Sequence, residues 1–114
     1  MILGREGQHM MERLAQDLAK AGFRVRTRQG TLNHWILSVE VGPEGDRRAI
    51  SAARLHLRYQ RELAGYANWI YKTQVEVIVK NLNHTPRVLV AFAAMQEAAM
   101  RMEAELTSST RSST

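Results

Sequence analysis

The fold is decided by residues 23–41, which read FRVRTRQGTLNHWILSVEV. Apolar and polar side chains alternate on both sides of the glycine, and a period of two is typical of β-strands. One set of alternating positions is mostly apolar: Phe23, Val25, Thr27, Trp35, Leu37, Val39 and Val41. The stretch therefore predicts a β-hairpin with an apolar face turned inward and an arginine-bearing face turned outward.

The same alternation restricts the register of this hairpin. Pairing Gln29 with Asn33 places Thr27 opposite Trp35 and keeps apolar residues opposite apolar ones. Such pairing requires an odd-numbered loop, and we expect a three-residue loop in which Gly30 supplies the positive φ.

Outside the hairpin the apolar period changes to that of a helix. Residues 5–21 predict a first helix, since apolar residues recur at three- and four-residue steps and Gly22 follows as a C-terminal cap. The last helix is expected to begin at Thr85-Pro86, a cap residue followed by proline at the first helical position.

The middle of the chain is less clear. The turn 42–45 is followed by Asp46, which suits a helix N-cap, and by a helical stripe made of Ala52, Leu55, Tyr59, Leu63 and Tyr66. We therefore predict a second helix, although residues 54–59 also alternate as a strand would. Residues 73–80 predict a third strand, with a helix continuing from Tyr66 as the alternative.

These elements define an α+β fold: a small antiparallel sheet, built from the hairpin plus a third strand, with helices packed on one face. The expected order is α-β-β-α-β-α. We expect residues 1–106 to form a single domain. Residues 107–114 are rich in serine and threonine and are expected to be a disordered tail.

Composition narrows the class of protein. The chain has 114 residues and no cysteine, which excludes a disulfide scaffold, thiolate metal ligands and thiol catalysis. The first residues lack the apolar core of a signal peptide, and no apolar run approaches the roughly 20 residues that span a bilayer. We expect a soluble cytoplasmic protein of bacterial or phage type, with no membrane association.

Positive charge is concentrated in residues 20–61. The formal net charge is +5, and this segment holds nine basic residues against three acidic ones. Guanidinium groups bind phosphate bidentately, so an arginine-rich face indicates a nucleic-acid phosphate backbone as the partner. The residues expected to form this face are Arg24, Arg26, Arg28 and His34 of the hairpin with Arg47, Arg54, Arg58 and Arg61 of the predicted second helix.

Motifs for catalysis and for cofactors are absent from the sequence. There is no phosphate-binding glycine loop, no HExxH and no nucleophile elbow. The histidines are not spaced as a local metal pair. We therefore expect a binding protein without enzymatic activity, cofactor or metal.

A protein-interaction role is the alternative. Ile36 and Ile78 fall on the outward faces of their strands, and Leu89 and Met100 widen the apolar surface of the last helix. This is more apolar area than a monomer hides, so we predict a homodimer or docking on another protein, as an inhibitor, adaptor or assembly factor.

One local resemblance points to an enzyme. Residues 18–26 (LAKAGFRVR) and 29–35 (QGTLNHW) resemble HicA-type mRNA interferase toxins, in which a helix ends in a glycine-aromatic step and a basic hairpin presents glycine, serine and histidine. The resemblance implies ribonuclease activity with His34 as the catalytic candidate. Here Thr31, Leu32 and Asn33 separate Gly30 from that histidine.

Overall fold

The structure, a computed structural model, describes residues 5–31, 33–62 and 68–112, and it leaves undescribed the side chains of 62, 68 and 107–112. Its main elements are α1 (Arg5–Lys20), β1 (Arg24–Gln29), β2 (His34–Val41), β3 (Ser51–Glu62), β4 (Asn68–Ile78) and α2 (Thr85–Ser112). The α+β class is confirmed. The order is α-β-β-β-β-α, so the predicted α-β-β-α-β-α is wrong in its middle.

The four strands form one antiparallel sheet in the order β1-β2-β3-β4. Cross-strand partners pair odd with odd and even with even, so all odd-numbered strand residues share one face. Both helices pack on that face, where the core joins Leu37, Leu55 and Leu57 of the sheet to Val88 and Met95 of α2, all at 0 % exposure.

The even-numbered strand residues lie outside this core, and we call their surface the open face. It consists of Arg24, Arg26, Arg28, His34, Ile36, Ser38, Glu40, Ala52, Arg54, His56, Arg58, Gln60, Ile70, Lys72, Gln74, Glu76 and Ile78.

The hairpin of β1 and β2 has the predicted faces but a different register. Gln29 pairs with Trp35 rather than with Asn33. Because the shift is by an even number of residues, every side chain stays on the predicted face. The loop is closed by a hydrogen bond from the Gly30 amide to the His34 carbonyl at 2.8 Å. Among the described residues of the loop, the positive φ, 68°, belongs to Asn33 and not to Gly30 as predicted, and asparagine tolerates the left-handed region.

The predicted helix after the turn at 42–45 is wrong: Ser51–Glu62 is a strand. Leu55 and Tyr59, four residues apart, share a face in a helix and equally in a strand. Leu57, which lies between them, distinguishes the two structures. It is fully buried in the same core as Leu55, and residues two apart share a face in a strand but not in a helix. The pairing of β3 with both β2 and β4 satisfies its backbone on both edges. The predicted stripe residues Leu63 and Tyr66 lie outside the described residues.

Asp46 caps a single turn instead of a helix. Its Oδ1 accepts a hydrogen bond from the Arg48 amide at 3.2 Å, and its carbonyl accepts one from the Ala49 amide at 3.1 Å. The chain then enters β3. The predicted third strand at 73–80 is a strand, the fourth of the sheet, and it begins earlier, at Asn68.

Both terminal helices match their predictions. Gly22 follows α1 with φ of 95°, and its carbonyl accepts a hydrogen bond of 2.7 Å from Arg87 Nη2, which ties the start of α2 to the end of α1. Helix α2 begins at Thr85 as predicted and continues to Ser112. The expected disordered tail, 107–114, includes no residue whose side chain the structure describes, and its disorder stays a prediction. Among the described residues, no helix is both long and apolar enough to cross a membrane.

Candidate functional site

The open face is arranged in rows that run across the four strands. Successive rows are two residues apart, or about 6.8 Å along each strand. Four rows that include three or more strands follow from the register: Arg24–Glu40–Ala52–Ile78, Arg26–Ser38–Arg54–Glu76, Arg28–Ile36–His56–Gln74 and His34–Arg58–Lys72. Because residues 51–62 form a strand that pairs with β2, Arg54 and Arg58 lie on the same surface as the β1 arginines.

Cations outnumber carboxylates on this surface. The basic residues on the open face and its rim are Arg24, Arg26, Arg28, Arg47, Arg54, Arg58, Lys72 and Lys80. Among the side chains that the structure describes on this surface, two are carboxylates, Glu40 and Glu76. The electrostatic potentials of cations on one side of a small molecule add together, so the potential on this side is positive.

The ion pairs on the open face hold their arginines loosely. Arg26 Nε lies 3.4 Å from Glu40 Oε1, and the Arg26 side chain is still 60 % exposed. Arg54 Nη1 lies 3.9 Å from Glu76 Oε1 with 40 % of its side chain exposed. The Glu40 side chain is mostly buried, but both arginine side chains stay at least 40 % exposed, so a phosphate can compete for either guanidinium.

Arg24 differs from the other arginines of the open face. Its Nη1 donates to the Gly42 carbonyl at 2.9 Å, while its Nη2 is buried without a hydrogen-bond partner. The guanidinium therefore anchors β1 to the end of β2, and it has less freedom to meet a ligand than Arg28, which is exposed.

A depression of about 490 Å³ lies at one end of the open face. Small residues, Ser38 and Ala52, occupy the two central strands there, and longer side chains surround them. The lining residues are Arg26, Arg28, Ser38, Glu40, Arg47, Ile50, Ala52, Arg54, Ile78 and Lys80. Four predicted arginines thus meet around one hollow.

Three titratable side chains form a chain of contacts beside the arginines. His34 Nε2 lies 3.0 Å from His56 Nδ1, and His56 Nε2 lies 2.8 Å from Glu76 Oε1. The two imidazole rings are stacked with centroids 5.3 Å apart. These contacts run from Glu76 on β4 through His56 on β3 to His34 on β2, next to the loop of the first hairpin.

The contacts determine where the protons lie when both rings are neutral. A carboxylate oxygen only accepts, so His56 Nε2 carries its proton and His56 Nδ1 is an acceptor. His34 must then donate from Nε2, which leaves the lone pair on His34 Nδ1 available to another molecule. Burial, followed by the charges of Arg58, His56 and Arg28, lowers the pKa of His34 and favours this neutral form.

Gly30 keeps the space beside that nitrogen open. A Cβ at position 30 would stand 3.0 Å from His34 Nδ1, closer than ordinary contacts allow. Any side chain there would press on the ring edge that carries the free lone pair.

Arg61 was expected to belong to this surface and does not. It pairs with Trp69 at odd-numbered positions, on the side of the sheet that the helices cover. Arg47 reaches the rim of the depression from the connection between β2 and β3. Two residues that the sequence did not single out, His56 and Glu76, belong to the site because the register places them beside His34 and Arg54. The alternation of residues 54–59 was the sequence signal that could have indicated the strand and hence the position of His56.

The four residues expected to form a protein interface lie on two different surfaces. Ile36 and Ile78 are on the open face, where Ile36 is only 5 % exposed. Leu89 and Met100 are 49 % and 74 % exposed on α2, which covers the opposite face. They share one stripe of that helix, so assembly through α2 stays a prediction that does not involve the open face.

A second serine–histidine contact has a structural role. Ser51 Oγ lies 2.8 Å from His84 Nδ1 and accepts a hydrogen bond of the same length from the Lys80 amide. Ser51 has 0 % exposure, so its hydroxyl cannot reach a substrate. The contact fixes the start of β3 to the segment between β4 and α2.

Comparison with protein-family models, curated proteins and solved structures finds no match for this chain. Over the residues that the structure describes, no three histidine, aspartate or glutamate side chains are grouped so as to hold a metal ion.

Proposed function

We propose that this protein binds nucleic acid through the phosphate backbone, with the open face as the binding surface. The observation that carries the proposal is the convergence of Arg26 and Arg28 of β1 with Arg54 and Arg58 of β3 on one side of the sheet. Cations on consecutive rows suit a polymer with regularly repeated negative charges better than a single small anion.

The competing carboxylates do not cancel this charge. Glu40 and Glu76 are paired with exposed arginines, and Lys72 and Arg58 lie in a row without acidic residues among its members. The binding energy would come mainly from counterion release, since cations are the most numerous charged side chains on this face.

A matched pair of double variants tests the proposal. Arg28→Gln with Arg54→Gln removes two charges from the open face, and Arg13→Gln with Arg101→Gln removes two from the groove between the helices. Binding of a labelled 20-nucleotide strand should weaken at least tenfold with the first variant at low salt. The second should bind nearly as the wild type does, apart from the loss of net charge. Equal losses would end the proposal.

A ribonuclease is the second candidate, and the contacts from Glu76 through His56 to His34 favour it. His34 Nδ1 would take the proton of a ribose 2′-hydroxyl, whose oxygen attacks the adjacent phosphorus. The 5′-oxygen then leaves with a proton from water, and a 2′,3′-cyclic phosphate remains. Arg28 and Arg58 would stabilise the charge that develops on the phosphate.

Cleavage assays decide this candidate. It predicts that purified protein cuts RNA but not DNA of the same sequence, and that His34→Ala, His56→Ala and Glu76→Gln each reduce the rate while binding persists. Intact RNA after prolonged incubation with wild-type protein removes the ribonuclease and leaves the binding proposal untouched.

A further inference from the structure

The depression on the open face carries more than positive charge. Its lining includes an apolar wall made of Ile50, Ala52 and Ile78, and two hydrogen-bond acceptors, Ser38 and Glu40. A surface that bound phosphates alone would gain nothing from the wall. A carboxylate in its lining, Glu40, would repel them.

The size of the depression matches a small organic group. Its volume of about 490 Å³ falls within the range of roughly 300–1,000 Å³ that small-molecule sites occupy. The hollow exists because Ser38 and Ala52 lie in adjacent rows of the two central strands, between the arginines of β1 and Ile78 of β4. A long side chain at either position would fill it.

These features together fit one nucleotide of a single strand. The rim arginines suit the phosphate, and the apolar wall suits the face of a base. Glu40 and Ser38 can accept hydrogen bonds from the N–H groups on the base edge. In a duplex the bases are stacked and paired, so none is free to enter.

We propose that the depression bounded by Arg26, Arg47, Arg54 and Lys80 seats one unpaired nucleotide, so that the open face selects single-stranded over double-stranded nucleic acid. This inference rests on the proposed function and specifies its ligand. Neighbouring nucleotides would then follow the rows toward Arg28 and Arg58.

The test uses a variant that fills the depression without changing its charge. Ala52→Met adds a long apolar side chain on the central strand, and Ala93→Met adds the same side chain at an exposed position of α2 as a control. Fluorescence anisotropy compares a labelled 20-nucleotide strand with a hairpin duplex that contains the same sequence, for the wild type and both variants.

We expect the wild type to bind the single strand about tenfold more tightly than the duplex, the effect of seating about one base. Ala52→Met should abolish that preference while duplex affinity and its salt dependence stay unchanged, and Ala93→Met should behave as the wild type. Thermal unfolding shows whether Ala52→Met is folded. If it is not, Ile50→Ser, which removes part of the apolar wall, replaces it.

Equal affinity of the wild type for the single strand and the duplex would overturn the inference. An Ala52→Met variant that still prefers the single strand would overturn it as well. Either result leaves the arginine surface standing as a phosphate binder. Failure of the proposed function looks different, because then neither nucleic acid binds in a salt-dependent manner.

Discussion

Gly7 makes possible the contact between α1 and the sheet, and the substitution Gly7→Ala should destabilise the protein. A Cβ at this position would stand 2.5 Å from Tyr71 Cε1 and 2.9 Å from Leu57 Cδ2. Relieving that overlap costs about 1–3 kcal/mol, because packed interiors adjust poorly to added carbon. The better helix propensity of alanine returns at most about 1 kcal/mol in the first turn of α1.

The net effect on the free energy of unfolding should therefore be a loss of about 1 kcal/mol. The sign should reverse in a Tyr71→Val background, because valine removes the ring and Leu57 can move into the vacated space. Urea unfolding followed by circular dichroism gives all four values of this double-mutant cycle. If Gly7→Ala stabilises the wild type, or has the same effect in both backgrounds, the packing argument is refuted.

Further predictions concern titration and assembly. NMR should show His34 titrating below its ordinary pKa of 6.5, chiefly because the ring is partly buried. The unfolded chain therefore takes up that proton first, and stability falls as pH drops through this range. Arg58→Gln should raise the pKa of His34 only part of the way, and an unchanged pKa would contradict the contribution of the Arg58 charge. Burial raises the pKa of Tyr71 to about 12 and also raises the pKa of Tyr59, so ultraviolet titration should show both tyrosines ionising late, and stability should fall as pH rises above 10. If the protein is the predicted homodimer, the double variant Leu89→Gln with Met100→Gln should have a lower mass than the wild type in light scattering. A wild-type mass equal to that of one chain would refute the homodimer.

Local alternation was sufficient to predict the first hairpin and its faces. Arg26 and Val25 point to opposite sides of β1 whatever the loop length. Any loop with an odd number of residues then places the apolar residues of β2 on the same side as Val25. The register was wrong by two residues because the positive φ could be assigned to Gly30 or to Asn33, and the pattern does not distinguish them.

The identity of β3 was not predictable from its own composition. Leucine, arginine and alanine favour helices, and the long-range pairing with β2 and β4 overrides that preference. Arg54 and Arg58 nevertheless remained together, because a step of four residues keeps one face in either structure. Arg61, three residues beyond Arg58, changed sides because three is an odd number.

The histidine chain required tertiary information. His34 and His56 are 22 positions apart, and they meet only because β2 and β3 pair in one particular register. The depression has the same origin, since it depends on Ser38 and Ala52 falling in adjacent rows. A sequence pattern can say which face a residue takes. It cannot say which residue of another strand will stand beside it.

The central claim is that the even-numbered surface of the sheet contacts the nucleic acid, and amide chemical-shift mapping tests it most directly. Titration of isotope-labelled protein with a 20-nucleotide strand should move the signals of residues 26, 38 and 54 and leave those of α2 largely in place. Shifts concentrated on the exposed stripe of α2 around Leu89 and Met100, with the sheet signals unmoved, would contradict the account.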